Sequence, residues 1–277
     1  MTRLSGRVLV VAGSDSGGGA GIQADVKTIT ALGAYAATAI TALTAQNTRG
    51  VQGILPVPPD FIGWQIEAVL DDIGADAIKT GMLGDAAAIE RICDTLAARA
   101  GGIPLVVDPV MLAKGGARLL AADAITVLKR RLLPMASVLT PNLPEAEALA
   151  GMAIPDLPAM RHAAAALLTL GVPAVLLKGG HLPGEAVIDL LATEDGVEEF
   201  AALRIASRHT HGTGCTLASA LAAGLAQGLP LRTAVMQART YVRAAIASAP
   251  GFGAGNGPLN HAVTIDPGRL FGTPAFR

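Results

Sequence analysis

The sequence predicts a three-layer α/β fold, with a mostly parallel central sheet and helices on both faces. Three observations carry this. Short apolar runs alternate with amphipathic stretches of helical period as far as residue 178. The runs are apolar throughout, as in strands buried on both faces. Aromatic residues are only 3% of a chain that is 51% hydrophobic, so the core must be built from Ala, Val, Leu and Ile.

The elements follow in order. Residues 8–12, 36–44, 75–80, 105–108, 137–139 and 174–178 are short and apolar, and read as strands. Between them, residues 22–32, 61–73, 86–99, 122–133, a stretch from Pro144, and 159–170 place apolar side chains three and four apart, and read as helices. Parallel strands joined this way need right-handed crossovers. The alternation breaks after Gly180. There 187–191 and 198–203 flank Glu194-Asp195-Gly196 and predict an antiparallel hairpin. Two helices, 216–226 and 231–248, close the chain. No charged linker, low-complexity tract or repeat divides it, so a single domain is expected over 1–277.

Composition narrows the function. Lys and Arg number 21 against 22 Asp and Glu, a formal net charge of -1. No basic face is forced, so a small molecule rather than nucleic acid is the expected partner. Cys93 and Cys215 are too few for a disulfide framework and fit a reducing compartment. The first residues lack a secretory apolar segment, and a cytoplasmic location is expected. Residues 28–48 carry no charge and are about long enough to span a bilayer. Their several Thr, with Gly33, Gln46 and Asn47, read instead as a buried helix end and strand, and no membrane partner is expected. Residues 212–231 read the same way.

In such a sheet, ligands bind beyond the carboxyl ends of the strands. Five polar constellations fall there. The first, from Gly13 to Gly21, lets backbone approach a ligand closely, although a flexible turn explains it as well. Gly19-x-Gly21-x-x-Ala24 formally matches a dinucleotide fingerprint, but no acid lies between Asp25 and Asp60 to take a ribose. No Gly-Lys-Ser/Thr follows either. The second is Gln46-Asn47-Thr48. The Gln46 amide offers a donor and an acceptor to a neutral amino-heterocycle, or is a plain loop residue.

The third is Asp108 before Pro109, placed to hold Mg²⁺ or orient phosphates, or else to cap or pair. Residues 111–116 after it, with Lys114, make a candidate lid. The fourth is Asn142 with Glu145, at capping-box spacing. The pair also suits a water shell around Mg²⁺. Lys178 ends another strand and adds a cation for phosphate. The fifth, His211-Gly212-Thr213-Gly214-Cys215-Thr216, runs into a helix and makes an anion cradle of backbone amides. Cys215 would lie at the positive end of that helix beside His211, which predicts a lowered thiol pKa. Cys93, on an apolar helix face, is expected in the core.

Together these motifs resemble the ribokinase-like superfamily, with Gly-x-Gly-Cys in place of the more usual Gly-x-Gly-Asp and with its Asn-x-x-Glu pair at Asn142 and Glu145. More closely, the chain is similar to the hydroxymethylpyrimidine/phosphomethylpyrimidine kinases of thiamine biosynthesis. The matching runs are residues 19–25, 40–48, 81–83, 140–146, 178–181 and 211–216. Gly17 and Ala254 depart from the pattern, where Ser and His are usual.

The resemblance implies phosphorylation of a pyrimidine alcohol by ATP and Mg²⁺, then of its monophosphate to the diphosphate. It implies that Gln46 binds the pyrimidine, with Gly13, Asp25, Met82 and Val110 nearby. It implies that Asp108, Asn142, Glu145, Lys178 and His211 serve Mg²⁺-ATP, with Glu145 and Asp108 reaching the metal through water. Gly212, Thr213, Gly214 and Cys215 would hold the transferring phosphoryl group, with Cys215 as base, and a homodimer is expected. Pyridoxal and pyridoxine kinases of the same fold are the alternative, disfavoured by Gln46 and Met82. A Cys215–His211 acyl hydrolase is a third reading, without an evident partner to orient the histidine.

Overall fold

A computed structural model describes residues 5–111 and 120–266. The first strand, β1 (Arg7–Asp15), is buried along almost its whole length. Leu9 and Val11 face one core, and Val8, Val10 and Ala12 face the other. That two-sided burial is why the run is apolar without alternation. Helix α1 (Gly21–Ala31) carries the chain to β2 (Tyr35–Asn47), parallel to β1. A seven-residue edge strand, β3 (Gly50–Pro56), pairs antiparallel with β2.

There follow α2 (Pro59–Asp72), β4 (Ala77–Thr80), α3 (Ala86–Arg99), β5 (Leu105–Val107) and α4 (Ala122–Val127). Next come β6 (Val138–Leu139), α5 (Leu143–Ala150), α6 (Leu157–Leu168) and β7 (Ala174–Leu177). The hairpin β8 (Ala186–Thr193) and β9 (Gly196–Leu203) leads to α7 (Thr213–Ala226) and α8 (Leu231–Ala247). Among the described residues the sheet has nine strands, in the order β3-β2-β1-β4-β5-β6-β7-β8-β9. From β2 to β7 all neighbours are parallel, and both edges are antiparallel.

Helices α1, α7 and α8 cover one face. The second face carries α2 to α6. Small residues let the aromatic-poor core close. A Cβ added at Gly224 would lie 2.9 Å from the Cβ of Ala234, so α7 and α8 meet almost backbone to backbone. Strand β1 has β2 on one side and β4 on the other, and the helices after β1 and β3 lie on opposite faces. A crevice therefore opens beyond its carboxyl end.

The strand and helix order agrees with the sequence reading, with three differences. Strand β3 was not expected, because Gly53 and Pro56 argue against a strand, yet Pro is tolerated at a sheet edge. The helix expected over 122–133 is α-helical only to Val127. It widens over Leu128–Leu132 and tightens over Leu133–Met135, where Pro134 removes a backbone donor. Strands β1 and β2 run on to Asp15 and Asn47, so Gln46 lies inside a strand. No described helix is long and apolar enough to cross a membrane.

Candidate active site

The carboxyl ends of β1, β2, β4, β5 and β7, with the start of α7, border one cavity of about 880 Å³. Gly13, Gln46, Met82 and Val110 are among the residues that line it. The Met82 methyl occupies the space a Cβ at Gly13 would take, so a side chain there would push Met82 aside. Gln46 lies beside His211, with Nε2 to Nε2 at 3.2 Å. Its other amide atom is 3.2 Å from Thr44 Oγ1.

Asp15 ends β1 and organises the glycine run. Its carboxylate accepts hydrogen bonds from the amides of Gly17 (2.8 Å), Gly19 (3.2 Å) and Ala20 (2.8 Å), and pairs with His211 Nε2 at 2.9 Å. Burial pushes its pKa up, but His211 and the amides outweigh that and hold it below the usual carboxylate range. Gly212 is left-handed, at φ 82°, and its missing side chain lets the carbonyl of Gly19 close against it. The two glycine-rich turns thus dock on each other.

The cradle amides belong to the first turn of α7, whose N-cap is Gly212. Lys178 Nζ lies 3.0 Å from Asp108 Oδ1. A Cβ at Gly214 would be 3.1 Å from that ammonium, so the ion pair sits against the cradle. Asn142 caps α5 and closes a full capping box. Its side chain accepts the Glu145 amide (2.9 Å), and Glu145 Oε2 accepts the Asn142 amide (2.8 Å). Both residues border the cavity as well. The capping and functional readings of this motif are therefore not exclusive. Burial, with the charge of Asp108, pushes the Glu145 carboxyl up to about 7 against the pull of Lys178.

Three sequence expectations are corrected. Asp25 does not border the cavity. It is fully buried, paired with Lys79 Nζ at 2.9 and 3.0 Å, and accepts the Ser219 hydroxyl at 2.7 Å. Burial pushes its pKa up, against the opposing pull of Lys79. The Cys215 thiol is raised rather than lowered: burial, with the charges of Asp25 and Asp108, pushes it up to about 12 against the pull of Lys79 and the Gly21 amide. Nor is it paired with His211, which turns to Asp15 and Gln46. The Cys215–His211 dyad that a hydrolase needs is absent among the described contacts. Cys93 is core as expected, its thiol pushed up to about 12 by burial. Lys114 lies outside the described residues, as does most of the candidate lid.

Sequence reasoning missed Lys79 and Asp15. Lys79 is 0% exposed, and such a lysine needs a buried acid. Its place between Ile78 and Thr80 in an apolar strand was the available signal, and Asp25 is the partner. Asp15 was hidden because β1 extends past Gly13.

The arrangement offers an amide edge, an anion cradle, a paired lysine and two carboxylates in one crevice. The sequence matches the phosphomethylpyrimidine kinase family over residues 15–260. It is 53% identical over 261 residues to the thiamine biosynthesis bifunctional protein ThiED of Geobacter sulfurreducens, covering 94% of this chain but about half (53%) of that protein. It is 51% identical to a hydroxymethylpyrimidine/phosphomethylpyrimidine kinase of Streptomyces coelicolor, covering 92% of this chain and 93% of that one. Among solved structures, an ADP complex of Bacillus subtilis pyridoxal kinase is similar at TM-score 0.88 and 35% identity, over 95% of this chain and 100% of that one. A phosphomethylpyrimidine kinase from Clostridium difficile is similar at TM-score 0.76 and 40% identity, over 86% and 97% of the two chains.

Proposed function

Because the chain belongs to the phosphomethylpyrimidine kinase family, and so phosphorylates 4-amino-5-hydroxymethyl-2-methylpyrimidine and then its monophosphate with ATP in thiamine biosynthesis, we propose that both transfers occur in the crevice beyond β1. One observation supports this most. A single cavity joins an amide suited to an amino-heterocycle, Gln46, to an anion cradle at Gly212–Cys215, with His211 bridging them. In each transfer the acceptor oxygen bonds to the γ-phosphorus, the bond to the β,γ-bridging oxygen breaks and ADP leaves; in the first the acceptor hydroxyl also loses its proton, whereas in the second the acceptor is a phosphate oxygen. Such a reaction needs positioning and charge stabilisation more than covalent help from protein. The amides of Thr213, Gly214 and Cys215 hold the transferring group, Lys178 adds a cation, and Cys215 is the side chain assigned to the hydroxyl proton.

Asp108 and Glu145 fit Mg²⁺ held through water. Both are oxygen donors; Asp108 has one oxygen engaged by Lys178, and Glu145 accepts the amides of Asn142 and Met111. Among the described residues no three acidic, His or Cys side chains form a closed metal site. When bound, Mg²⁺ would neutralise phosphate charge. The same reading includes one domain, a cytoplasmic location and a homodimer. The dimer is supported by exposed apolar side chains on β2, β3 and α2, Leu43, Leu55, Phe61 and Trp64, the last 59% exposed.

Pyridoxal phosphorylation is the second reading, favoured by the similarity to pyridoxal kinases of Bacillus subtilis and Staphylococcus aureus. Incubation with ATP, Mg²⁺, the pyrimidine alcohol and pyridoxal, followed by mass spectrometry, separates the two. Pyrimidine mono- and diphosphate are the expected products. Pyridoxal phosphate as the main product would replace the first reading by the second.

A further inference from the structure

We propose that Asp15, acting through His211, fixes the orientation of the Gln46 amide and so makes the site selective for an amidine edge over a lactam edge on the acceptor ring. The inference rests on the function proposed above, and treats Asp15 and His211 as positioning residues.

His211 Nε2 lies 2.9 Å from Asp15 Oδ2. The Asp15 carboxylate collects three backbone amides besides His211 and has a lowered pKa, so it is ionised and offers only acceptors. Two acceptors cannot share a hydrogen bond, so the proton is on Nε2. This holds whether the ring is neutral or charged. That one proton is shared between Asp15 at 2.9 Å and, more weakly, the Gln46 amide atom at 3.2 Å, and only the amide oxygen can accept its second arm, so the oxygen is the atom that faces Nε2. Amide oxygen and nitrogen are nearly alike in shape, and the network decides between them.

The rest of the network accepts this orientation. Thr44 Oγ1 donates to the Ser14 carbonyl at 2.9 Å and is left as an acceptor. The Gln46 nitrogen, 3.2 Å away, donates to it. The strand backbone on either side is also held: Ser16 Oγ and the Gln46 main chain exchange two hydrogen bonds, at 2.8 and 2.9 Å. One oxygen lone pair and one N–H of Gln46 remain for a ligand, in a fixed order. That order matches an amino group beside a ring nitrogen. A ring carbonyl beside a ring N–H meets donor with donor and acceptor with acceptor. Leaving such groups unpaired, rather than weakening attraction, is what gives large discrimination.

The test compares kcat/KM for the aminopyrimidine alcohol with that for its 4-oxo analogue. It uses the wild type, Asp15→Asn, His211→Leu and His211→Gln, with folding checked by circular dichroism. In Asp15→Asn the histidine can lose the Nε2 proton and Gln46 can turn. The amino-to-oxo ratio is expected to fall about tenfold or more in Asp15→Asn and His211→Leu, partly because the oxo analogue improves. His211→Gln, which keeps a donor, is expected to retain most of the ratio. If Asp15→Asn does not fold, the two His211 variants carry the comparison. Equal losses on both substrates in the variants, with the ratio unchanged, would overturn the proposal and leave Asp15 a loop anchor. A wild type that phosphorylates neither pyrimidine would instead overturn the function, and this selectivity with it.

Discussion

A thiol pushed up to about 12 is protonated at neutral pH, and a protonated thiol cannot accept the acceptor's proton. If Cys215 is the base, only its small thiolate fraction works. Below the thiol pKa that fraction grows with pH. Wild-type kcat is therefore expected to rise about tenfold per pH unit between pH 7 and 9, and the slope to disappear in Cys215→Asp. Cys215→Ser is expected to fold and bind ATP but lose most turnover. A flat profile with near-wild-type rates in Cys215→Ser would leave the work to the backbone amides and Lys178. Gln46→Ala removes a paired edge, at roughly 1–3 kcal/mol, and should weaken apparent pyrimidine affinity about five- to 150-fold while leaving ATP binding unchanged. Loss of ATP binding instead would invert the assignment of the two ends. Lys79→Met strands a fully buried Asp25 carboxylate, and urea unfolding should show a loss of about 3–5 kcal/mol. Adding Asp25→Asn should restore part of it. If Lys79→Met alone costs nothing, the pair is not a structural neutral unit.

Helix α5 shows an element serving fold and site at once. Its capping box fixes Glu145, and burial holds that carboxyl at about 7. The sign follows from proton binding. Between the ordinary pKa of 4.5 and about 7, the folded state keeps a proton that the unfolded state has released. Stability therefore falls as pH rises through that window. Glu145→Gln keeps the cap geometry and removes the charge. It should raise stability at pH 8 by on the order of 2 kcal/mol, leave it nearly unchanged at pH 4.5, and impair metal-dependent turnover. Equal stabilisation at both pH values would mean that the charge is not the cause. Elements like this were legible because caps, apolar runs and glycine turns are local. Strand β3 was not, since its residues are mostly exposed and only the pairing with β2 makes it a strand. The site was legible where residues follow strand ends, as Asp108, Asn142 and Lys178 do. It was illegible where burial or partner choice decides, as with the thiol of Cys215, the Lys79–Asp25 pair and the turn of His211 toward Asp15.

For the whole molecule, the exposed apolar side chains of β2, β3 and α2 have a direct consequence for assembly. Leu55→Glu combined with Trp64→Glu should shift the protein to a monomer in sedimentation analysis with little change in unfolding, because both side chains are already more than half exposed. A wild type that sediments as a monomer would remove the dimer from the proposed function. The sheet order carries a different consequence. Gln46 and Met82 stand on β2 and just after β4, whereas the cradle belongs to α7, far along the chain. On the proposed function, the residues that would hold the acceptor and those that would hold the transferring group thus come mainly from separate stretches of sequence, which meet where His211 and Gly212 touch Asp15, Gly19 and Gln46. A change of acceptor on this scaffold would then draw mainly on residues before the second half of the chain and leave the glycine turn that opens α7 in place.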